Sequence, residues 1–340
     1  MLIVSSHDHS LHHSAGELND GVMMPAFEHP GRAASINAAL VAAQLGENRM
    51  PRRFGREPIL RVHDTSFVRF LEGAHAAWSE RHGHRDALPL SFVAPGMRRR
   101  CPTDIDGQLG YYCFDCGTPI SAGTWPAATA AVDIALTAAA AVLDEPAFAL
   151  CRPPGHHAGH EFYGGYCYLN NAAIAAQYLR DQGAARVAVL DVDYHHGNGT
   201  QEIFYGRDDV LFVSLHADPA TEYPFFSGYA DEVGSGAGIG CTRNFPLPCG
   251  TAWAGYAVAL ATALDDIHGF GPDALVISFG ADTFERDPIG KFALTRDDYA
   301  RMGAAIGRLR RPCAIIMEGG YAVAELGANV AAFLGGFLEG

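Results

Sequence analysis

Short apolar runs alternate along the chain with longer segments in which apolar residues recur every three or four positions. The short runs are typical of buried strands, and the longer segments are typical of amphipathic helices. The runs predict strands over residues 2–4, 148–152, 186–193, 210–216, 274–279 and 313–317. The periodic segments predict helices over residues 32–45, 66–81, 127–143, 169–182, 252–268, 296–310 and 323–338. Buried strands separated by helices predict an α/β fold with a parallel sheet covered on both faces.

Long polar or glycine- and proline-rich segments lie between these elements, and no internal repeat or low-complexity linker divides the chain. We therefore predict one domain over residues 1–340. Loops of this length in a compact domain are commonly functional, and sites in open α/β sheets lie at the carboxyl ends of the strands. The long loops span residues 5–29, 84–125, 153–168, 217–250 and 280–294. Because four of them follow predicted strands, we expect the functional site at that edge of the sheet.

The composition limits the partners and the compartment. A net charge of −14 argues against nucleic acid as a partner, because phosphate binding needs clustered Lys and Arg, and it is compatible with a cationic substrate. The N-terminal residues show no signal-peptide pattern, and no uninterrupted apolar run of ~18 residues predicts a membrane span. We therefore expect a cytoplasmic protein that does not engage membranes, in which the eight cysteines are free thiols.

The predicted strand over residues 186–193 ends in a set of metal-binding side chains. Asp191, Asp193 and His195 are spaced two residues apart, and side chains at that spacing share one face of a strand. Two carboxylates and an imidazole at the end of a buried strand are costly to bury without a partner. The segment therefore predicts a site for a divalent metal ion.

Polar clusters follow three other predicted strands, so their side chains can meet Asp193 and His195 at one edge of the sheet. They are Cys-Arg-Pro-Pro-Gly-His156-His157, Ser-Phe-Gly-Ala-Asp282 and Glu-Gly-Gly-Tyr321. A pair of histidines by itself is usually a surface feature, and Gly-Gly-Tyr by itself is usually a turn. Their shared position after successive strands indicates a site, in which Asp191 and Asn198 can orient the paired histidines.

The side chains in these clusters match the needs of a metal-dependent hydrolase. Such an enzyme needs ligands that leave room for water, a base near that water and a donor for the developing oxyanion. Asp193, His195 and Asp282 offer two carboxylates and one imidazole, a set that suits Zn²⁺. His157 is the candidate base, and Tyr321 carries a phenol that can donate to the oxyanion.

The ordered motifs resemble those of the histone deacetylase superfamily, which has the arginase/deacetylase fold. The resemblance is carried by Arg-Pro-Pro-Gly-His156-His157, Asp191-Val-Asp193-Tyr-His195-His-Gly-Asn198-Gly and Glu-Gly-Gly-Tyr321. Further details resemble the acetylpolyamine amidohydrolase branch of that superfamily, namely Glu-Leu-Asn-Asp-Gly, Pro-Thr-Asp-Ile-Asp-Gly-Gln-Leu-Gly-Tyr-Tyr-Cys and Pro-Ile-Ser-Ala-Gly-Thr-Trp. The resemblance implies a three-layer α/β/α domain around an eight-stranded parallel sheet.

The resemblance also implies the roles of the residues. One Zn²⁺ ion would be bound by Asp193, His195 and Asp282. His157 would activate the attacking water with the help of His156, and Tyr321 would polarise the amide carbonyl. The products would be acetate and a free amine.

Structural potassium ions and a narrow substrate tunnel are further implications of the resemblance. The first potassium site would comprise Asp191, Asp193, His195, Ser214 and Leu215. The second would comprise Phe204, Arg207, Val210 and Asn244. The tunnel would be lined by Gly165, Tyr166 and Tyr223.

The acetylpolyamine branch implies a small cationic acetylated amine as the substrate. Glu17 matches the acidic residue of that branch in the early loop, and Asp106 stands where the branch typically has a Glu near the tunnel mouth. Insertions near residues 10–25 and 85–120 would form a homodimer and narrow the entrance to the active site.

Three alternatives remain open. One is a deacetylase for acetyl-lysine in proteins or for other small amides. A two-metal, arginase-like ureohydrolase needs further Asp and His ligands, where this chain has Tyr321 and the His156–His157 pair. A module that binds acetylated amines without catalysis would lack the base or the phenol, whereas both His157 and Tyr321 are present.

Overall fold

The computed structural model describes residues 1–340 and contains ten strands and ten helices. The strands are β1 (Leu2–Val4), β2 (Glu17–Asn19), β3 (Val22–Met24), β4 (Glu47–Arg49), β5 (Ala147–Ala149), β6 (Val187–Asp191), β7 (Val210–Ala217), β8 (Thr242–Leu247), β9 (Ala274–Phe279) and β10 (Cys313–Met317). The helices are α1 (Gly31–Ala43), α2 (Glu57–Leu60), α3 (Thr65–His82), α4 (Ile105–Tyr112), α5 (Thr124–Ala141), α6 (Asn171–Asp181), α7 (Asn198–Phe204), α8 (Trp253–Phe270), α9 (Arg296–Gly307) and α10 (Val323–Glu339).

Eight strands form one parallel sheet in the order β4-β1-β5-β10-β9-β6-β7-β8. Helices cover both faces, so the three-layer α/β/α fold with an eight-stranded sheet is confirmed. The six strands predicted from apolar runs are the six inner strands. The two strands without such a run, β4 and β8, lie at the edges of the sheet, where one side of a strand needs no partner.

Alternating side chains along the inner strands build a separate core on each face. In β1, Leu2 and Val4 pack in the core that contains residues of α3, α5 and α6, whereas Ile3 packs in the core that contains residues of α1, α8, α9 and α10. Phe279 of β9 stacks on Phe333 of α10 in this second core, with ring centroids 4.0 Å apart. This alternation is what a parallel sheet buried on both faces requires.

The strand order brings the predicted motifs together. Strands β5, β10, β9 and β6 are consecutive neighbours, and the loops that follow them carry the four motifs. Strand β6 ends at Asp191, two residues earlier than predicted, so Asp193 and His195 lie in the loop.

The two segments expected to be insertions have structure of their own. The β2–β3 hairpin occupies most of residues 16–24, and α4 lies within residues 85–120, where Ala87 also pairs with Ile120. None of the helices combines the length and the apolar character needed to cross a bilayer.

Candidate active site

Asp193, His195 and Asp282 converge on a common point at the carboxyl edge of the sheet. Their ligand atoms all lie within 4.8 Å of one another. His195 Nδ1 is 3.1 Å from Asp282 Oδ2 and 3.3 Å from Asp193 Oδ1. Two ligands about 2.0 Å from a tetrahedral ion lie about 3.3 Å apart, so these spacings fit the edges of a zinc coordination sphere. The residues therefore fit a Zn²⁺ ion in both donor type and spacing.

The convergence arises from the loop after β6 and not from strand alternation. The Asp193 N–H donates to Asp191 Oδ1 at 3.1 Å, and the His195 N–H donates to Asp193 Oδ1 at 2.9 Å. Each carboxylate thus accepts the N–H of the residue two positions later, which is the contact that defines an Asx turn. The spacing of two residues indicated the site, but the turns bring the ligands together.

Two glycines allow the carboxylates to come close to the neighbouring loops. A Cβ atom on Gly319 would lie 2.4 Å from Asp282 Oδ2 and 2.6 Å from Asp193 Oδ2, and one on Gly280 would lie 2.0 Å from Asp193 Oδ2. The Gly319 N–H donates to Asp193 Oδ2 at 2.8 Å. These positions need glycine because backbone and ligand side chains are in contact.

Buried charge at the site calls for a cation. Burial and the neighbouring charge of Asp193 raise the pKa of Asp282 to about 7. Burial lowers the pKa of His195, but its hydrogen bonds to Asp193 and Asp282 outweigh this and raise the pKa to about 9. Without a metal ion, a proton on His195 offsets the negative charge of the neighbouring carboxylates. A bound divalent cation would offset that negative charge instead.

His156 and His157 lie beside the three ligands with different partners. His156 Nδ1 is 2.9 Å from Asp191 Oδ2, and His157 Nδ1 is 2.7 Å from Asn198 Oδ1. Glu318 accepts the N–H groups of Gly155 and His156 at 2.6 and 3.2 Å, and so it joins the histidine loop to the strand before Tyr321.

These partners set opposite protonation states. Burial lowers the pKa of His156, but Asp191 and Asp193 outweigh it and raise the pKa to about 10. Burial, together with the positive charges of His156 and His195, holds the pKa of His157 well below its usual value. His157 is therefore neutral. Because its Nδ1 donates to the Asn198 carbonyl, its Nε2 carries the lone pair that can accept a proton.

The loop that carries Tyr321 is held on two sides by residues that the sequence patterns did not single out. Arg32 Nε donates to the Gly320 carbonyl at 2.7 Å, and the Arg32 guanidinium lies over the Tyr321 ring. Asp287 Oδ2 accepts the N–H groups of Tyr321 and Ala322 at 2.7 and 3.2 Å. Both residues are far in sequence from the groups that they bind, so the spacing of residues along the chain did not indicate their role.

The phenol of Tyr321 faces a cavity of about 940 Å³ that also reaches His157 and His195. Its hydroxyl makes no hydrogen bond within the chain, and burial keeps the phenol pKa well above its usual value. The phenol is therefore a protonated donor that is free to bind a ligand. Aromatic walls lead to it, because Phe114 and Tyr223 stack with centroids 5.9 Å apart and Tyr166 lies edge-on to Tyr321.

Asp115 fixes two of the three residues expected to line the tunnel. Its carboxylate accepts the Gly165 N–H at 2.6 Å and the Tyr223 hydroxyl at 2.8 Å. The third residue, Tyr166, adopts a positive φ of 64° and donates its hydroxyl to Glu17 at 2.8 Å. All three line the cavity, together with Asp115 and Glu17. Asp115 was missed as a site residue, although it lies in a Cys-Phe-Asp-Cys sequence.

The structure does not bring Asp106 to this cavity. Its carboxylate lies 3.1 Å from Arg81 Nε and 2.6 Å from His82 Nε2, both on α3. Glu17 does line the cavity, but it is buried, and its two oxygens accept the Tyr166 hydroxyl and the Phe27 N–H.

The residues expected at the first potassium site include two of the candidate metal ligands, Asp193 and His195, and neighbours of them. Ser214 pairs with Asp191 in register between β7 and β6, and both are buried, as is Leu215. The backbone carbonyls of Asp193 and His195 accept no hydrogen bond from the chain.

Of the residues expected at the second potassium site, Phe204, Arg207 and Val210 lie between the end of α7 and the start of β7, whereas Asn244 lies in β8, opposite Ser214. Phe204 and Val210 are buried, and Asn244 Oδ1 is buried without a hydrogen-bond partner. The Arg207 guanidinium lies over the Phe204 ring, 5.2 Å from its centroid, and donates to the Asp209 carboxylate.

Comparisons with known proteins agree with this geometry. Residues 26–337 match the family described as histone deacetylase domain. The acetylpolyamine amidohydrolase 1 of Pseudomonas aeruginosa is 54% identical, with 99% of each chain covered. The acetylpolyamine amidohydrolase of Mycoplana ramosa is 48% identical, with 99% of each chain covered.

A solved structure agrees as well. The acetylpolyamine aminohydrolase from Burkholderia pseudomallei superposes with a TM-score of 0.94 at 45% identity, covering 99% of this chain and 98% of that one. The family match, the identities and the shared fold lead to one conclusion. The chain belongs to the histone deacetylase family.

Proposed function

We propose that the protein is a zinc-dependent amidohydrolase that deacetylates acetylated polyamines, such as acetylputrescine, acetylcadaverine and acetylspermidine, to acetate and the free amine. The observation that carries the proposal is that Asp193, His195 and Asp282 converge, and that His195 lines one aromatic-walled cavity together with His157 and Tyr321. The relatives named acetylpolyamine amidohydrolase support the choice of substrate.

Asp193, His195 and Asp282 would hold the zinc ion. When bound, zinc supplies a Lewis acid at the acetamide. The neutral His157 takes the proton of the attacking water at Nε2, because Asn198 fixes its proton at Nδ1. The Tyr321 phenol donates a hydrogen bond to the carbonyl oxygen, where negative charge develops in the transition state.

The protonated His156 supplies positive charge beside His157. Its proton stays at Nδ1 toward Asp191, at 2.9 Å. The proton accepted by His157 is in position to be returned to the leaving amine, so that the amine departs neutral. His157 therefore accepts and returns the proton, and His156 and Tyr321 stabilise charge.

The cavity favours a slim chain with a positive charge. Phe114, Tyr166 and Tyr223 form walls that suit an aliphatic chain, and the carboxylates of Asp20 and Asp115 line the same cavity. Glu17 would contribute through Tyr166, since its oxygens are already bonded.

Structural potassium ions are part of the proposal. The unbonded carbonyls of Asp193 and His195 support the first site, and the unpartnered Asn244 Oδ1 supports the second.

A homodimer of single-domain chains in the cytoplasm is also part of the proposal. Apolar side chains of both inserted segments are exposed, among them Val22, Met23, Leu90 and Phe92, and two of these, Val22 and Phe92, line the cavity. A second copy that covers them would narrow the entrance. The eight unpaired cysteines support a reducing compartment.

Steady-state kinetics on zinc-loaded protein test the proposal. We expect acetylputrescine, acetylcadaverine and acetylspermidine to be hydrolysed with a higher kcat/KM than an acetyl-lysine peptide. A peptide hydrolysed as well as the acetylpolyamines, or better, would replace the proposal with a protein lysine deacetylase.

A further inference from the structure

Lys291 is the only lysine in the chain, and the other 23 of its 24 Lys and Arg residues are arginine. It lies in the loop between β9 and α9 and lines the active-site cavity. No arginine lines that cavity, so Lys291 is the one permanently cationic side chain there. A lysine at the entrance of a site proposed for cationic substrates opposes the charge that such substrates need.

Lys291 is paired with a carboxylate of the same cavity. Its Nζ lies 2.7 Å from Glu222 Oε1, with the lysine side chain 61% exposed and the glutamate 10% exposed. Glu222 also accepts hydrogen bonds from the Tyr194 hydroxyl at 3.0 Å and from the Cys249 thiol at 3.3 Å. These three donors hold Glu222 in place, so its charge is fixed while the lysine end stays in water.

We propose that Lys291 is a specificity-determining residue, which neutralises Glu222 at the cavity entrance and thereby limits the preference for more highly charged acetylpolyamines. The inference rests on the proposed function. Asp20 makes no direct ion pair, and Asp115 keeps its negative charge although it accepts hydrogen bonds, so both can attract one distal ammonium group. With Lys291 present, a second ammonium near Glu222 meets a pair without net charge. Without it, that ammonium meets a fixed carboxylate.

Removing the lysine charge therefore removes a repulsion that acts on every ammonium group of the substrate. Two unit charges about 10 Å apart in water change an equilibrium by a factor of about two, and by about four if the effective dielectric constant is halved. For Lys291→Met we expect kcat/KM to rise about two- to fourfold for acetylputrescine, which carries one ammonium group. The rise for acetylspermidine, with two ammonium groups, should approach the square of that factor. A neutral N-alkylacetamide should be unaffected.

Two matched variants complete the experiment. Lys291→Arg keeps the charge and should preserve the wild-type ratio between the substrates. Glu222→Gln leaves the lysine charge unpaired and should shift the ratio in the opposite direction from Lys291→Met. Because the Tyr194 hydroxyl and the Cys249 thiol still donate to Glu222, we expect Lys291→Met to fold, which its melting temperature checks. Raising the salt concentration should weaken all the charge-dependent differences.

The outcomes separate this inference from the proposed function. If wild-type protein hydrolyses the neutral amide but neither acetylpolyamine, the proposed function is wrong. If the acetylpolyamines are substrates but folded Lys291→Met changes kcat/KM equally for all three compounds, or for none, the role of Lys291 is wrong. The same holds if Lys291→Arg behaves like Lys291→Met.

Discussion

His157 combines a fixed tautomer with a pKa well below its usual value, and so it is the residue best placed to accept a proton. Replacing it by Ala should lower kcat by about 10²–10⁴-fold, the usual contribution of a general base. Zinc content should not change, because His157 is not one of the three predicted ligands. Kinetics and metal analysis on the same preparation measure both. An unchanged kcat in His157→Ala would contradict a general base and favour a module that only binds acetylated amines.

Asp287 acts on the reaction through Tyr321, since one of its oxygens accepts the N–H groups of Tyr321 and Ala322. The other oxygen accepts the N–H groups of Ile289 and Gly290, so the amide of Asp287→Asn can accept on only one of these two sides. We expect kcat to fall about a hundredfold, the effect of misplacing a reacting group by about 1 Å, with KM little changed.

A double-mutant cycle separates positioning from a general loss of structure. In the background of Tyr321→Phe, adding Asp287→Asn should lower kcat little further, because the group that it positions is already absent. Asp287→Glu keeps a carboxylate and should restore part of the activity. Independent, multiplicative losses in the cycle would contradict a role through Tyr321.

At the scale of elements, His63 connects the loop between α2 and α3 to the start of α6. Its Nδ1 is 2.8 Å from the Gly159 carbonyl, and its Nε2 accepts the Asn170 N–H at 2.9 Å. Only the neutral imidazole can make both bonds. Burial therefore lowers the pKa of His63 to about 4, despite the opposing carbonyl.

This shift predicts a loss of stability in acid. Above pH 6.5 neither state binds a proton at His63, and between pH 6.5 and about 4 the unfolded state binds it more strongly. The free energy of unfolding should therefore fall by about 3 kcal/mol through this window. Denaturant unfolding at several pH values measures the slope. His63→Gln should remove only the His63 share of the slope, because burial also lowers the pKa of His12 and of His216 to about 4. Replacing the exposed His84 by Gln should leave the slope unchanged.

Elements with a strong pattern could be predicted from the sequence, and those held by tertiary contacts could not. The inner strands are buried on both faces and are therefore apolar throughout. The edge strand β4 consists of the exposed residues Glu47, Asn48 and Arg49, and β8 contains Pro246. Nothing in their composition indicates a strand, because pairing with an inner neighbour determines their conformation.

The same division applies to the site. Asp193, His195, Asp282 and Tyr321 could be found because each follows a buried strand, where the topology of a parallel sheet collects side chains. Asp287 follows no predicted strand end directly and binds backbone groups 34 and 35 positions away. Such a contact depends on how the loops fold over the sheet edge, which neither periodicity nor spacing encodes.

At the scale of the whole molecule, the two cores flanking the sheet are the main source of stability, and Phe333 lies in one of them. It is fully buried and stacks on Phe279. Phe333→Ala should reduce the free energy of unfolding by about 3–5 kcal/mol, because the sheet cannot collapse into the space left behind. The matched control is Phe226→Ala, since Phe226 is 93% exposed. Equal effects on unfolding would contradict the assignment of this core.

The restriction of lysine to one position has a consequence for covalent modification. Acetylation removes the charge of a lysine but leaves arginine charges in place. A chemical acetyl donor can therefore cancel a side-chain ammonium of this chain only at Lys291, next to Glu222. The arginine side chains would keep their charge under acetylating conditions. Acetylation of Lys291 would give the cavity entrance the same net charge as Lys291→Met. Acetylation of the protein would therefore change its preference among acetylated amines of different charge.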